Sequence, residues 1–240
     1  VVNYDRFAAA YDEVLGRRYH AAVVPRLLRE FRRMKIYPPG RALDAGCGSG
    51  MLAAFLRDRG FTVFGLDLSL GMLLPARERC LQVFQASMAA FALREPVDAV
   101  LCLYDSINHM VEAEAVRAAF DCFHRALRPG GRLVMDTNNA WAFKHVFGSP
   151  QPYESEGEEG TVKMETAFDP ATGLARARVT GTWGGARLED ELVERYYPRT
   201  ELRQWLHETG FRGVRVEGWS PGRAYGGREV KDFWTATRPA

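Results

Sequence analysis

The 240-residue chain has no apolar run long enough to cross a bilayer, no excess of either charge and only four cysteines, none in a C-x-x-C pair. Each shortage removes a class of function. A membrane-spanning helix needs ~20 consecutive apolar residues, so a soluble protein that does not act at a membrane is expected. The formal charge is +2, from 32 Lys and Arg against 30 Asp and Glu, which gives no general pull toward nucleic acid. The cysteines, at positions 47, 80, 102 and 122, lack the spacing of a structural zinc site and read as reduced thiols, so no metal and a cytoplasmic location are expected. The stretch Val1 to Arg6 turns polar within a few residues, so no secretory signal is expected there. What remains is an ordinary globular composition, 47% hydrophobic and 26% charged, in a length that suits one domain with an insertion.

One stretch organises the rest. The apolar run Arg41 to Ala45 leads into Gly46-Cys47-Gly48-Ser49-Gly50, and a helical pattern opens at Met51. Strand, glycine loop and helix in that order make a nucleotide site. Glycines allow positive φ and leave no Cβ between backbone and ligand, and the helix start points unpaired amides and its positive dipole end into the crevice. The dinucleotide fingerprint G-x-G-x-x-G needs a glycine where Met51 stands, which argues against NAD. A second apolar run, Phe61 to Leu66, ends in Asp67, about 20 residues on, where a carboxylate at a strand tip accepts both hydroxyl protons of a ribose.

The stretches LDAGCGSG and VFGLDLSLGM resemble the first two motifs of the class I S-adenosylmethionine-dependent methyltransferases. The resemblance implies an α/β fold, a doubly wound, seven-stranded, mostly parallel Rossmann-like sheet. It also implies S-adenosylmethionine as donor and S-adenosylhomocysteine as product. On it, Asp44 takes the place of the leading acid of the loop and Gly46, Cys47 and Gly48 form the cofactor cradle. Asp67 becomes the ribose acid, with Leu68 and Met72 beside the adenine. Many members carry an acid after the third strand for the adenine amino group; here Ser87 stands there, with Met88 or backbone amides as the other candidates. Leu103 ends the fourth strand, where the donor methyl projects. The segment Leu103 to Met110 resembles a loop of the amino-sugar N,N-dimethyltransferases, which makes His109 a candidate to orient the acceptor or take its proton. The bland reading of His109 is a cap on the next helix.

Two helices are expected over Tyr4 to Arg33, interrupted near Gly16, and Pro38-Pro39-Gly40 releases the chain into the first strand. In the resembling family this segment, residues 1–38, is a lid over the cofactor. Tyr11 and Tyr19 are its candidate contacts, Tyr11 also beside His109, unless both are only packing residues. The rest, 39–240, forms the methyltransferase domain, with helices over Ser69 to Cys80 and Ala113 to Leu127. Pro75 falls inside the first of these and is expected to kink or shorten it. Strands cover Gln82 to Gln85, Val97 to Leu103 and Arg132 to Asp136. From Thr161 to Tyr197 the alternation changes to that of an antiparallel three-stranded meander, preceded by a solvated acidic loop, Glu154 to Glu159. This region, 140–198, is expected as an inserted antiparallel β cover over the site. A helix over Thr200 to Thr209, capped by Thr200, and strands near Phe211 to Val216 and Phe233 to Thr237 complete the chain. The function expected is methyl transfer to a small molecule, an amine ahead of a hydroxyl; the alternative is a cofactor sensor of the same fold that transfers nothing. The oligomeric state stays open, a homodimer being one option.

Overall fold

The computed structural model describes residues 4, 6–79, 82–222 and 225–240. Strands β1 (Arg41–Ala45), β2 (Thr62–Asp67), β3 (Gln82–Gln85), β4 (Val97–Cys102), β5 (Leu127–Asn138), β10 (Arg212–Trp219) and β11 (Lys231–Thr237) form one seven-stranded sheet in the order β10-β11-β5-β4-β1-β2-β3. All neighbours are parallel except around β11, which runs antiparallel to both β5 and β10. The expected doubly wound sheet is therefore present. Its strand order reverses between β1 and β4, the point where such sheets open a crevice beyond their carboxyl ends.

Helices bury both faces. On one, Val116, Phe120 and Phe123 of α5 (Ala113–Ala126) and Leu202 and Leu206 of α7 (Arg199–Thr209) pack on Leu43, Val100 and Leu133. On the other, Val23, Leu27 and Phe31 of α2 (Arg17–Arg33) and Leu52 and Leu56 of α3 (Met51–Arg57) pack on Ala42, Leu101 and Val134. The middles of the central strands are thus buried on both faces rather than alternating, as a sheet covered on both sides requires.

Ahead of α2, α1 (Ala8–Tyr11) runs into a π-helical turn, Asp12–Gly16, and on into α2. The expected break at Gly16 is instead this widened turn: a Cβ at Gly16 would lie 3.2 Å from Asp12 Oδ1 and 3.3 Å from the Tyr11 ring. Phe7, Ala10 and Val14 share a third core with Val162, Val179 and Leu192 of a second sheet.

That second sheet has four antiparallel strands, β6 (Tyr153–Gly157), β7 (Gly160–Asp169), β8 (Leu174–Trp183) and β9 (Ala186–Arg195), in sequential order. Three strands are expected from the alternation, with Glu154 to Glu159 as loop; the sheet has four. The acids concealed a strand: Glu154 and Glu156 face solvent while Tyr153, Ser155 and Gly157 alternate inward, the charged pattern of a sheet edge. Two more expectations shift. The N-cap of α7 is Pro198, without a side-chain cap, so Thr200 lies inside the helix. Helix α4 (Leu70–Glu78) runs through Pro75 without ending there, and its expected end at Cys80 falls outside the described residues. Among the described residues, no helix is long and apolar enough to cross a membrane.

Candidate active site

Between β1 and α3 the chain turns with φ of +76° at Gly46, +53° at Gly48 and +79° at Gly50. The amides of Gly46 and Cys47 both donate to the Leu66 carbonyl, at 2.8 and 2.9 Å, which ties the loop to the end of β2. Asp67 then accepts from the Gly48 amide through Oδ2 and the Ser69 amide through Oδ1, each at 2.9 Å. The Ser69 hydroxyl in turn caps α4 by accepting from the Met72 amide at 3.1 Å, which sets the buried Met72 side chain over the loop. A cleft opens here, with Tyr11, Asp44, Gly46, Asp67, Met72 and His109 in its wall. A Cβ at Gly46 would meet Ser106 Oγ at 2.5 Å and Ser106 Cβ at 2.9 Å. Gly46→Ala is therefore expected to displace the loop from Ser106 and to weaken S-adenosylhomocysteine binding at least tenfold, measured by calorimetry, on top of the ~1–2 kcal/mol cost of left-handed backbone at alanine. Wild-type affinity and Tm in this variant would show that the loop has slack.

Asp44, at the end of β1, is only 3% exposed. Burial, then the nearby Asp67 charge, push its carboxyl from an ordinary 3.8 up to about 7. A group that holds its proton more tightly when folded stabilises the fold at low pH and loses that contribution as pH rises through about 7. Asp44→Asn is expected to leave Tm nearly unchanged at or below pH 3.8 and to raise it by several degrees at pH 8, the rise from 3.8 to about 7 being worth at most ~4 kcal/mol. Equal Tm at both pH values would refute the burial penalty.

At the end of β4, Tyr104 and Asp105 take φ of +62° and +52°, left-handed values that cost non-glycine residues strain. The buried Asp136 carboxylate, at the end of β5, holds them there: it accepts from the Tyr104 amide at 3.1 Å and the Asp105 amide at 2.9 Å, and also from the Tyr19 hydroxyl. Tyr19 is thus anchored under the cleft, its ring 4.1 Å from that of Tyr104, while Tyr104 lines the cleft, its hydroxyl buried and without a hydrogen-bond partner among the described residues.

His109 follows on the same loop. Its Nδ1 lies 3.2 Å from the Val193 carbonyl. A carbonyl can only accept, so Nδ1 carries the proton and Nε2 keeps its lone pair toward the cleft, where the Tyr4 hydroxyl donates to it at 2.8 Å. Burial, against the opposing charge of Asp105, lowers the basicity of the imidazole below its ordinary value. The helix-cap reading fails. The N-cap of α5 is Glu112, and His109 makes no bond to that helix.

A family model described as a methyltransferase domain matches residues 15–216. The chain belongs to this family. It is an S-adenosylmethionine-dependent methyltransferase. Among relatives, a dTDP-3-amino-3,6-dideoxy-alpha-D-glucopyranose N,N-dimethyltransferase of Streptomyces fradiae is 34% identical over 149 residues, 58% of this chain and 55% of that one. A malonyl-[acyl-carrier protein] O-methyltransferase of Salmonella typhimurium is 28% identical over 169 residues, 70% of this chain and 64% of that one. The solved structure of CalS10, an amino pentose methyltransferase of Micromonospora echinaspora with S-adenosylmethionine bound, superposes with a TM-score of 0.68. It is 25% identical and covers 88% of this chain and 89% of its own.

Within the methyltransferase, Tyr11, Asp44, Gly46, Cys47, Gly48, Asp67, Met72 and His109 converge on the cleft as the sequence suggests. Other candidates stand back from it. Leu68 is 47% exposed. The Ser87 hydroxyl is engaged by the Ala89 amide at 3.2 Å, and Met88 Sδ lies 3.6 Å from Cys102 Sγ. Leu103 is buried, its carbonyl accepting from Ser106 Oγ at 2.8 Å. Cys47 packs its sulfur against Gly65, and burial pushes its thiol well above the ordinary value, so it is structural rather than reactive.

Two groupings are invisible in the sequence. In one, Asp12 accepts from the Ser49 hydroxyl at 2.5 Å and from Arg79 at 2.7 Å, and Arg79 also reaches the Ser49 carbonyl at 2.7 Å. The N-terminal π turn, the glycine loop and α4 are locked together by it. The other is a buried polar cluster behind His109. Lys231, at the start of β11, bonds Asp105 and reaches the Asn138 side-chain oxygen at 3.0 Å and Asp136 at 3.4 Å. Asn138 Nδ2 donates to Asp105 at 3.0 Å and to Glu194 of β9 at 2.8 Å. The donor atoms of Asp105, His109 and Glu194 lie within 4.8 Å of one another, a separation that a small cation can bridge. The Lys231 ammonium on Asp105 already supplies one positive charge at that point.

Proposed function

We propose that the methyltransferase moves a methyl group from S-adenosylmethionine to the nitrogen of a small amine, with His109 as the base. The observation that carries this reading is the tautomer of His109: a neutral imidazole whose Nε2 lone pair faces the cleft. The fit of the donor rests on the loop, where Gly46 and Gly48 in left-handed backbone line the cleft without a side chain, and on two polar residues of the cleft, Asp44 with its buried carboxyl and Tyr104 with a hydroxyl that has no partner among the described residues. When bound, the donor supplies a sulfonium methyl for in-line displacement.

The chain's own residues bind and position. Gly46, Cys47 and Gly48 bring backbone against the donor. Asp67 accepts the ribose hydroxyls, and Met72 with Leu68 flanks the adenine, whose recognition falls to the Ser87 hydroxyl, Met88 or backbone amides. Asp44 faces the α-ammonium of the methionine moiety, and Leu103 closes the floor at the methyl. Residues 1–38 form a lid carrying Tyr11 and Tyr19, and residues 140–198 a cover whose β9 edge faces the acceptor. His109 Nε2 takes the proton that the acceptor nitrogen sheds. Alignment contributes most of the rate, up to ~7–11 kcal/mol.

The test is transfer of labelled methyl from S-adenosylmethionine to a panel of small amines and their matched alcohols. Labelled N-methyl products, with the alcohols inert, are expected; transfer to the hydroxyl members alone would overturn the amine assignment.

A further inference from the structure

Three carboxylates, Asp105, Asp136 and Glu194, meet one ammonium, Lys231, in the buried cluster behind His109. They are not equally served. Asp105 and Asp136 both touch Lys231, and Asp136 receives two backbone amides besides. Glu194 is 7% exposed, and its side chain has, among the described residues, one hydrogen bond, from Asn138 to Oε2. Its Oε1 has no hydrogen-bond partner among the described residues and points toward His109 Nε2, 3.9 Å away. The Tyr4 hydroxyl occupies the hydrogen-bonding position on that same nitrogen. A buried carboxylate with an open oxygen beside a neutral base lacks a cation.

We propose that Glu194 is a specificity-determining residue of the acceptor site: its Oε1 receives an N–H of a cationic acceptor that replaces the Tyr4 hydroxyl beside His109. This rests on the amine reading above. Burial, then the Asp105 charge, raise the Glu194 carboxyl well above the ordinary range; as an ammonium arrives, any proton on Glu194 is released to solvent and the carboxylate is left paired with the cation. The geometry divides the work on one nitrogen. One N–H is held by Glu194 Oε1, and a second proton passes to His109 Nε2, which leaves a lone pair for the methyl carbon. As the N–C bond forms, the S–C bond breaks and its electron pair stays on sulfur. An alcohol has a single O–H and no charge, so it cannot satisfy both groups.

Glu194→Gln keeps the Oε acceptor for Asn138 and removes only the charge. With S-adenosylmethionine saturating and the amine panel as probe, the variant is expected to raise KM for each amine substrate about tenfold or more, as loss of a charge-assisted hydrogen bond does. S-adenosylhomocysteine affinity and kcat are expected to change far less, and Glu194→Asp to recover part of the KM. Unchanged KM in Glu194→Gln, with wild type methylating amines, overturns the role of Glu194 alone. Equal losses in S-adenosylhomocysteine affinity and KM mean a structural role and overturn it also. Transfer by wild type to hydroxyl acceptors only, or to no panel member, overturns the amine reading and this proposal with it.

Discussion

His109→Ala is expected to lower kcat by ~10²–10⁴-fold, the range of a positioned general base, with S-adenosylhomocysteine affinity unchanged. The separation of effects follows from where His109 sits. Its ring is held from β9 by the Val193 carbonyl and from the N-terminal segment by Tyr4, whereas the glycine loop is braced by Leu66, Asp67 and Ser106. Removing the imidazole leaves that bracing intact. The pH profile gives an independent reading. Burial holds the imidazole below its ordinary 6.5, so wild-type kcat is expected to stay level at neutral pH and to fall only on the acid side of 6.5 as Nε2 becomes protonated. That limb should vanish in the variant. A variant with wild-type kcat, or one that keeps the acid limb, would remove His109 from the chemistry.

Asp67→Ala is expected to weaken S-adenosylhomocysteine by ~100-fold or more. Two hydrogen bonds from ribose hydroxyls to a carboxylate are worth ~1.5–3 kcal/mol each. The same side chain also holds the Gly48 and Ser69 amides at 2.9 Å, so truncation loosens the loop as well as the sugar contact. Asp67→Asn separates the two contributions. It keeps one acceptor oxygen for either the Gly48 or the Ser69 amide, sets an NH2 donor against the other and loses the charge, so its affinity and its Tm should both fall between wild type and alanine. Calorimetry on both variants, with thermal unfolding as the control, checks this; wild-type affinity in Asp67→Ala would mean that the ribose is held elsewhere.

Much of the frame is legible along the chain because parallel strands and their crossovers are written in local patterns. The run Arg41 to Ala45, the glycines after it and Asp67 lie close in sequence, and their spacing alone puts them at one strand end. The buried cluster is written nowhere locally. Lys231 meets Asp105 across 126 residues, and Asn138 meets Glu194 across 56. No periodicity or motif links positions so far apart. By pattern alone β5 ends at Asp136 and β11 begins at Phe233, since polar residues at a strand end look like loop; the strands extend to Asn138 and from Lys231. Those discarded ends, Asn138 and Lys231, are register partners and supply the cluster. The same bias turned β6 into an acidic loop. Its acids are solvent-facing residues of an edge strand, and only pairing with β7 reveals the alternation. Tyr4 offered no signal beyond its ring, yet its hydroxyl meets His109 105 residues away.

The most direct measurement is a crystal structure of the protein with S-adenosylhomocysteine bound. The ribose hydroxyls should lie within hydrogen-bond distance of the Asp67 carboxylate, the adenine against Met72, and the methionine moiety along Gly46 to Gly50 with its ammonium toward Asp44. A nucleoside bound away from β1 and β2, with the Asp67 carboxylate free of the sugar, would contradict it.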